Sequence, residues 1–379
     1  MSPWYTASIV TLDILCKVVD NYGDIGVVYR LARAISELSA APRLRLIVDD
    51  LAAFSLLEPA IDPALPIQSA RGWTVLSWAG PAPGTEAEYR FAYAGDPTRV
   101  VIECFACGRP DWFEALLFDP SDYALKTIVN LEYLTAEDYA GEFHMMPSLT
   151  RSSRVRKHMF LPGFTAATGG LILDEAFLRA CIRHQSAERY RILVFGYERD
   201  YARIVEDIAE FELERSVQVF LASGKSQRCF MDSWERAGRP FPVEPLPFMR
   251  QEAWDALLAA CDFLIVRGED SMSRAALSGR PFLWQAYPQE GAHQLIKVRA
   301  LLDRLRPHFS AAAFQPVESA FLAFNDRIKD SPDLQGRERI LPLLRDEGGL
   351  AGGFAAFSEL LLGNGNLASH LMTFLREIV

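Results

Sequence analysis

A chain of 379 residues, half of them hydrophobic, is long enough for two domains with separate cores. Its formal net charge of −10 argues against general nucleic-acid binding, which needs a basic surface. It leaves room for an anionic ligand held by local arginines and backbone amides, or for a basic patch on a protein partner. No apolar run reaches the roughly 18 residues of a membrane span, and Asp13 and Lys17 interrupt an opening segment that lacks a basic leader. A cytoplasmic protein that does not bind membranes is expected.

In chain order, the first strand is expected over Leu12–Val18. Gly23 and Gly26 then mark a turn, after which Ile25, Val28, Leu31, Ala32, Ile35 and Leu38 recur at helical spacing. Asp20 and Asp24 therefore fall in a strand–turn–helix junction, the place where α/β folds bind ligands. Each acid also has a plain structural reading: Asp24 as a helix N-cap, Asp20 as a residue of the turn Asp20-Asn-Tyr-Gly23. Further strands are expected over Leu44–Val48, Val75–Trp78, Val100–Phe105 and Lys126–Leu131. Asp49 and Asp50 at a strand end read as loop or cap residues rather than as a metal pair. Cys104 and Cys107 form a CxxC with no second pair and no nearby histidine pair, so buried reduced thiols are expected and no zinc.

The glycines and threonines of Gly163–Gly170 read as a loop leading into an interdomain linker. Beyond it the alternation starts again. Strands are expected over Tyr190–Phe195, Val217–Leu221, Phe263–Val266 and Pro281–Trp284, with helices over Arg203–Phe211, Gln251–Ala260 and Ser271–Ser278. Such alternation means parallel sheets with crossover helices. The expected architecture is α/β, with two Rossmann-like domains facing each other across a cleft. The domains are residues 1–170 and 171–362, and a last helix within 363–379 packs back toward the N-terminal domain. Neither GxGxxG after a strand nor a P-loop occurs, which disfavours a dinucleotide enzyme or a P-loop NTPase and leaves a nucleotide-sugar enzyme.

The second polar junction is Arg267-Gly-Glu-Asp-Ser271. A helix N-terminus offers free N–H groups and partial positive charge; Ser271 adds a hydroxyl, and Arg267 and Arg274 add cations. Together these suit a diphosphate, while ordinary capping by Asp270 or Ser271 is the plain alternative. Glu269 either binds a sugar or ribose hydroxyl or pairs with Arg267. After the next strand, Gln289 and Glu290 either read donor hydroxyls or belong to a loop and a capped helix.

Several segments together resemble one family. They are Cys16–Gly26, Tyr29–Arg33, Asn130–Leu134, Gly163-Phe-Thr with Thr168-Gly-Gly170, Arg267–Ser271 and Tyr287–Glu290. In that order they resemble the bacterial elongation factor P arginine rhamnosyltransferases. The resemblance implies a GT-B glycosyltransferase that moves L-rhamnose from dTDP-β-L-rhamnose to one arginine of elongation factor P with inversion. The modified factor would relieve ribosome stalling at proline runs. It also implies an N-terminal domain that receives the protein acceptor and a C-terminal domain that binds dTDP. On this reading the helix end and the arginines replace a metal, so no metal or cofactor is expected, and nothing demands more than a monomer. The family's N-terminal acids fall on Asp20 and Asp24, Asp24 being the favoured general base, and its C-terminal acid falls on Glu269. Its donor positions fall on Phe195, Tyr197, Phe248, Gln251, Asp270 and Ser271, with Phe248 as thymine platform and Ser271 as phosphate contact. Arg267 and Gln289 complete the expected donor set. Met272–Ala275 and Gly291–His293 depart from the family pattern near the sugar pocket. The alternatives are a GT-B enzyme with another sugar or acceptor, and a non-catalytic nucleotide-sugar-binding protein.

Overall fold

Residues 11–19, 22–184, 188–289, 293–326 and 339–379 are described by a computed structural model of the protein, in which the chain forms two α/β units. Unit 1 takes the chain up to Thr135, Tyr139–Leu173 and Gly365–Val379; unit 2 takes Ala136–Asp138 and Asp174–Asn364.

Unit 1 runs β1 (Thr11–Cys16), α1 (Gly23–Ser36), β2 (Arg43–Val48), α2 (Leu51–Leu57), β3 (Ile67–Ala70), β4 (Trp73–Ser77), α3 (Glu86–Tyr93) and β5 (Val100–Cys104). It continues through α4 (Asp111–Leu117), β6 (Lys126–Leu131), α5 (Tyr139–Phe143), β7 (Pro147–Ser148) and β8 (Val155–Phe160). The sheet order is β3-β4-β2-β1-β5-β6-β8-β7, parallel throughout except for β3 and β7 at the two edges. All six residues of β1 are buried, as a strand covered on both faces requires. The chain moves outward from β1 to β2 on one side and returns to β5 on the other. The C-terminal end of β1 is therefore the topological switch point, where open α/β sheets place ligands.

Unit 2 runs α6 (Glu175–Arg183), β9 (Tyr190–Val194), α7 (Ala202–Glu212), β10 (Val217–Leu221), α8 (Lys225–Arg236), β11 (Val243–Pro245) and α9 (Gln251–Ala260). It continues through β12 (Phe263–Arg267), α10 (Glu269–Ser278), β13 (Phe282–Gln285), α11 (Gln294–Leu305), α12 (Ala311–Asn325), α13 (Leu341–Leu344) and α14 (Leu350–Gly363). Among the described residues its five strands are all parallel in the order β11-β10-β9-β12-β13, so its switch point lies between β9 and β12.

The chain then returns to unit 1 as α15 (Leu367–Ile378). Leu367, Ala368, Leu371, Met372, Phe374 and Leu375 are buried in the core that also holds Leu12, Ile14, Val28 and Ile35. Each large apolar side chain so buried stabilises by about 1.5–3 kcal/mol, so packing rather than intrinsic propensity holds this 12-residue helix. Asn366 fixes its start. The Asn366 side chain exchanges hydrogen bonds with the backbone of Leu173 and caps the helix at the Ala368 N–H. The unit boundaries fall at Leu173/Asp174 and Asn364/Gly365, a few residues beyond those expected from sequence.

Strand ends also shift. The strand expected over Val100–Phe105 stops at Cys104 because Phe105 and Ala106 turn to φ of 59° and 50°. The helix expected from Ser271 begins at Glu269, because Gly268 at φ 70° ends β12 and leads directly into it.

Candidate active site

In unit 1 the β1 switch point is occupied by Asp24, the second residue of α1 and only 3% exposed. Tyr22, not Asp24, is the N-cap, so the simple capping role is not the one observed. The Asp24 carboxylate accepts the Val19 N–H at Oδ2 (2.7 Å) and the Tyr133 hydroxyl at Oδ1 (3.0 Å). It is thus tied to the loop after β1 and to the segment after β6. Its partner in the sequence argument, Asp20, lies outside the described residues. Asp49 accepts the Val18 N–H at 2.8 Å, which anchors the same loop, and Asp50 caps α2 through the Ala53 N–H. The two acids at that strand end are therefore loop and cap residues. Burial, and then the nearby Asp24 charge, push the Cys16 thiol well up, so this cysteine is an inert core residue. Cys104 is buried and Cys107 half-buried, both are free thiols, and burial raises both, Cys107 to about 12.

In unit 2 the ends of β9 and β12 bring Phe195, Tyr197 and Arg267 together. The Arg267 guanidinium carbon sits 4.6 Å from the centre of each of the two rings. Cation–π contact with both faces holds a planar cation at the strand edge. Phe195 is backed by Trp254 of α9 (5.0 Å, edge-on), and Tyr197 meets Tyr287 edge-on at 5.5 Å. The backbone between the two aromatics is pinned. Gly196 N–H donates to Ser226 and Tyr197 N–H to the side-chain oxygen of Gln285 at 2.7 Å. A Cβ at Gly196 would lie 2.2 Å from the Tyr201 hydroxyl oxygen, so glycine is sterically required there.

Next to Arg267, Gly268 is the N-cap of α10, and Glu269, Asp270 and Ser271 form its first turn. Glu269 pairs with Lys297 of α11 at 3.7 Å, whereas Arg267 lies on the rings; of the two readings of Glu269, the pairing with Arg267 is not the one observed. Arg274 also differs from expectation. It is fully buried, against Phe177 of α6, and so is not a cation offered to a ligand. Ser271 is 7% exposed in the first turn. Gln251 opens α9 and is buried, Phe248 in the preceding loop is 44% exposed, and the Gln289 N–H donates to Gln294 at the start of α11. Glu290 lies outside the described residues.

Sequence reasoning gave no role to Tyr133, Gln285, Ser226 or Lys297. Tyr133 lies inside the matched segment Asn130–Leu134, and Gln285 ends a strand at the same sheet edge as Arg267. Position at a strand end was therefore the usable signal for both.

Two parallel-sheet α/β units, each with polar and aromatic residues gathered at its switch point, place the chain in the GT-B fold class. The profile of the family described as "Elongation-Factor P (EF-P) rhamnosyltransferase EarP" matches residues 12–376, and the chain belongs to that family. A protein-arginine rhamnosyltransferase of Pseudomonas aeruginosa is 33% identical over 361 residues, 88% of this chain and 92% of the relative. One from Shewanella oneidensis is 33% identical over 338 residues, 78% of this chain and 82% of the relative. Among solved structures, one concerned with EarP-mediated arginine glycosylation of translation elongation factor EF-P matches with a TM-score of 0.57 at 22% identity, covering 97% of this chain and 99% of that one. Spinosyn rhamnosyltransferase SpnG matches with a TM-score of 0.52 at 14% identity, covering 96% and 99%. At these identities the structural matches speak for the fold.

Proposed function

We propose that this chain is an inverting glycosyltransferase that moves L-rhamnose from dTDP-β-L-rhamnose to one arginine side chain of elongation factor P. The observation that carries this reading is the Arg267 guanidinium laid on Phe195 and Tyr197 beside the N-terminus of α10, in a chain of the elongation factor P rhamnosyltransferase family. A cation and a helix N-terminus together offset the negative charge that develops on a departing diphosphate. In this reading Arg267 and Ser271 hold the diphosphate and Phe248 stacks on thymine. Phe195, Tyr197, Gln251, Asp270 and Gln289 shape the donor pocket, and Glu269 takes a sugar hydroxyl. No metal or cofactor is required, because Arg267 and the helix end supply the positive charge.

Unit 1 is assigned the acceptor. A guanidinium is a weak nucleophile, being protonated and delocalised at neutral pH. Two carboxylates overcome this by gripping its N–H groups and drawing off one proton as the bond forms. Asp24 is assigned the proton and Asp20 the orientation of the guanidinium. The new bond joins an arginine nitrogen to the anomeric carbon. The bond from that carbon to the diphosphate oxygen breaks and dTDP leaves as the nitrogen enters from the opposite face, through an oxocarbenium-like transition state. The enzyme works as a cytoplasmic monomer on a translation factor, and the modified factor relieves stalling at proline runs. Among the described residues no helix is long and apolar enough to cross a membrane.

The test is intact-mass spectrometry of elongation factor P after incubation with the protein and dTDP-β-L-rhamnose, with and without EDTA, beside the Asp24→Asn variant. One added deoxyhexose with wild type, in both buffers, and none with the variant is expected. NMR of the product should show the α anomer. A folded variant that transfers at the wild-type rate removes Asp24 from the reaction. No transfer by a wild-type protein whose melting temperature rises with dTDP rejects this acceptor or this sugar.

A further inference from the structure

We infer that Tyr133 is a positioning residue for the transfer, holding the Asp24 carboxylate through its hydroxyl while Phe105 holds the ring. The inference rests on the acceptor-side role proposed for Asp24.

An aspartate's terminal torsion is broad and has no sharp preferred setting of its own. Here both oxygens are engaged, Oδ2 by the Val19 N–H at 2.7 Å and Oδ1 by the Tyr133 hydroxyl at 3.0 Å. The Val19 contact spans five residues and the Tyr133 contact 109, so the second fixes the carboxylate to a different strand end. Tyr133 is itself 44% exposed. Phe105 supports its ring, stacked nearly parallel on it with centroids 4.3 Å apart and planes 14° off.

Phe105 reaches that position at a conformational cost. It and Ala106 are consecutive non-glycine residues in the left-handed region, an arrangement that L-residues avoid. The end of β6 enforces the turn. The Leu131 carbonyl accepts the Phe105 N–H at 2.7 Å, and the Asn130 side-chain oxygen accepts the Ala106 N–H at 3.2 Å. The ends of three neighbouring strands, β1, β5 and β6, thus each give one part of the assembly: the Val19 loop, Phe105, and Tyr133. A strained turn that places one ring under another, whose hydroxyl then reaches a buried carboxylate, is the support that a preorganised acid needs.

The test compares steady-state transfer by wild type, Y133F, F105L, D24N and the double variant D24N/Y133F, with circular dichroism and the thermal melt of each variant as a check that it is folded. Y133F keeps the stack and loses the hydroxyl. Its kcat should fall about 10- to 100-fold, the range for a hydrogen bond to a charged group, with KM for both substrates nearly unchanged. F105L keeps the hydroxyl and loses the support beneath it, and its kcat should fall by a smaller factor. The double variant should be no slower than D24N alone, because both changes act on one group. A Y133F enzyme with wild-type kcat beside an inactive D24N overturns the inference and leaves the role of Asp24 standing. A Y133F defect confined to KM for elongation factor P also overturns it, since Tyr133 would then contact the acceptor instead. Wild-type turnover by D24N overturns both readings.

Discussion

Lys297 Nζ lies 3.7 Å from Glu269 Oε1, so the first residue of α10 is paired to α11. An acid at a helix N-terminus is favourable in the empty protein, but the same charge repels a diphosphate brought to that helix end. Lys297 offsets it. Both side chains are about a third exposed, which limits the effect to a modest, salt-sensitive one. Lys297→Met should therefore weaken dTDP binding about two- to fivefold at low ionic strength, and the difference should shrink in high salt. Adding Glu269→Gln should restore much of the affinity. Calorimetric titration at two salt concentrations measures all three. An unchanged Kd at low salt would mean that the Glu269 charge is not felt by the nucleotide.

Arg267 tests the aromatic cradle separately from charge. Lysine at this position keeps the positive charge but lacks the planar guanidinium that sits against Phe195 and Tyr197, and cannot present two parallel donors. Arg267→Lys should weaken dTDP binding about 10-fold while leaving the melting temperature close to wild type, because the residue is only partly buried. Arg267→Met should weaken it further. Equal affinities for the lysine and arginine proteins would show that a point charge suffices.

The legibility of this chain follows from which interactions are local. α1 could be read because its apolar residues recur along one face, and α9 because a short apolar period ends at Cys261. β8 could not, since Arg156, Lys157 and His158 interrupt its apolar ends. Its charge is absorbed across the sheet, where Lys157 meets the buried Glu103 at 2.9 Å. The acids at the two strand-end junctions were visible as acids. Tyr133 was not visible as a partner of Asp24, because a contact 109 residues away has no spacing to betray it. Arg274 was misplaced for the opposite reason. Its position one turn into α10 suggested a ligand-facing cation, and only the packing of α6 against that helix shows it to be buried.

His144 supplies a pH dependence within unit 1 alone. Its Nδ1 accepts the Leu161 N–H at 3.1 Å, and its ring meets Phe160 edge-on at 4.6 Å, both of which suit the neutral imidazole. Burial, and then the neighbouring His370, lower its pKa from 6.5 to about 4. Between those values the unfolded chain binds a proton that the folded chain does not. The histidine's contribution to stability is thus complete above the unfolded value and is lost progressively as pH falls toward the folded one. His144→Asn offers an amide oxygen to the same N–H and does not titrate. Thermal melts from about pH 7 to about pH 5 should show the wild type losing stability more steeply than the variant, with a constant offset between them above pH 7. Since both proteins share every other titrating group, the difference in slope isolates the imidazole. Parallel curves would mean that His144 takes up its proton in the folded protein as readily as in the unfolded chain.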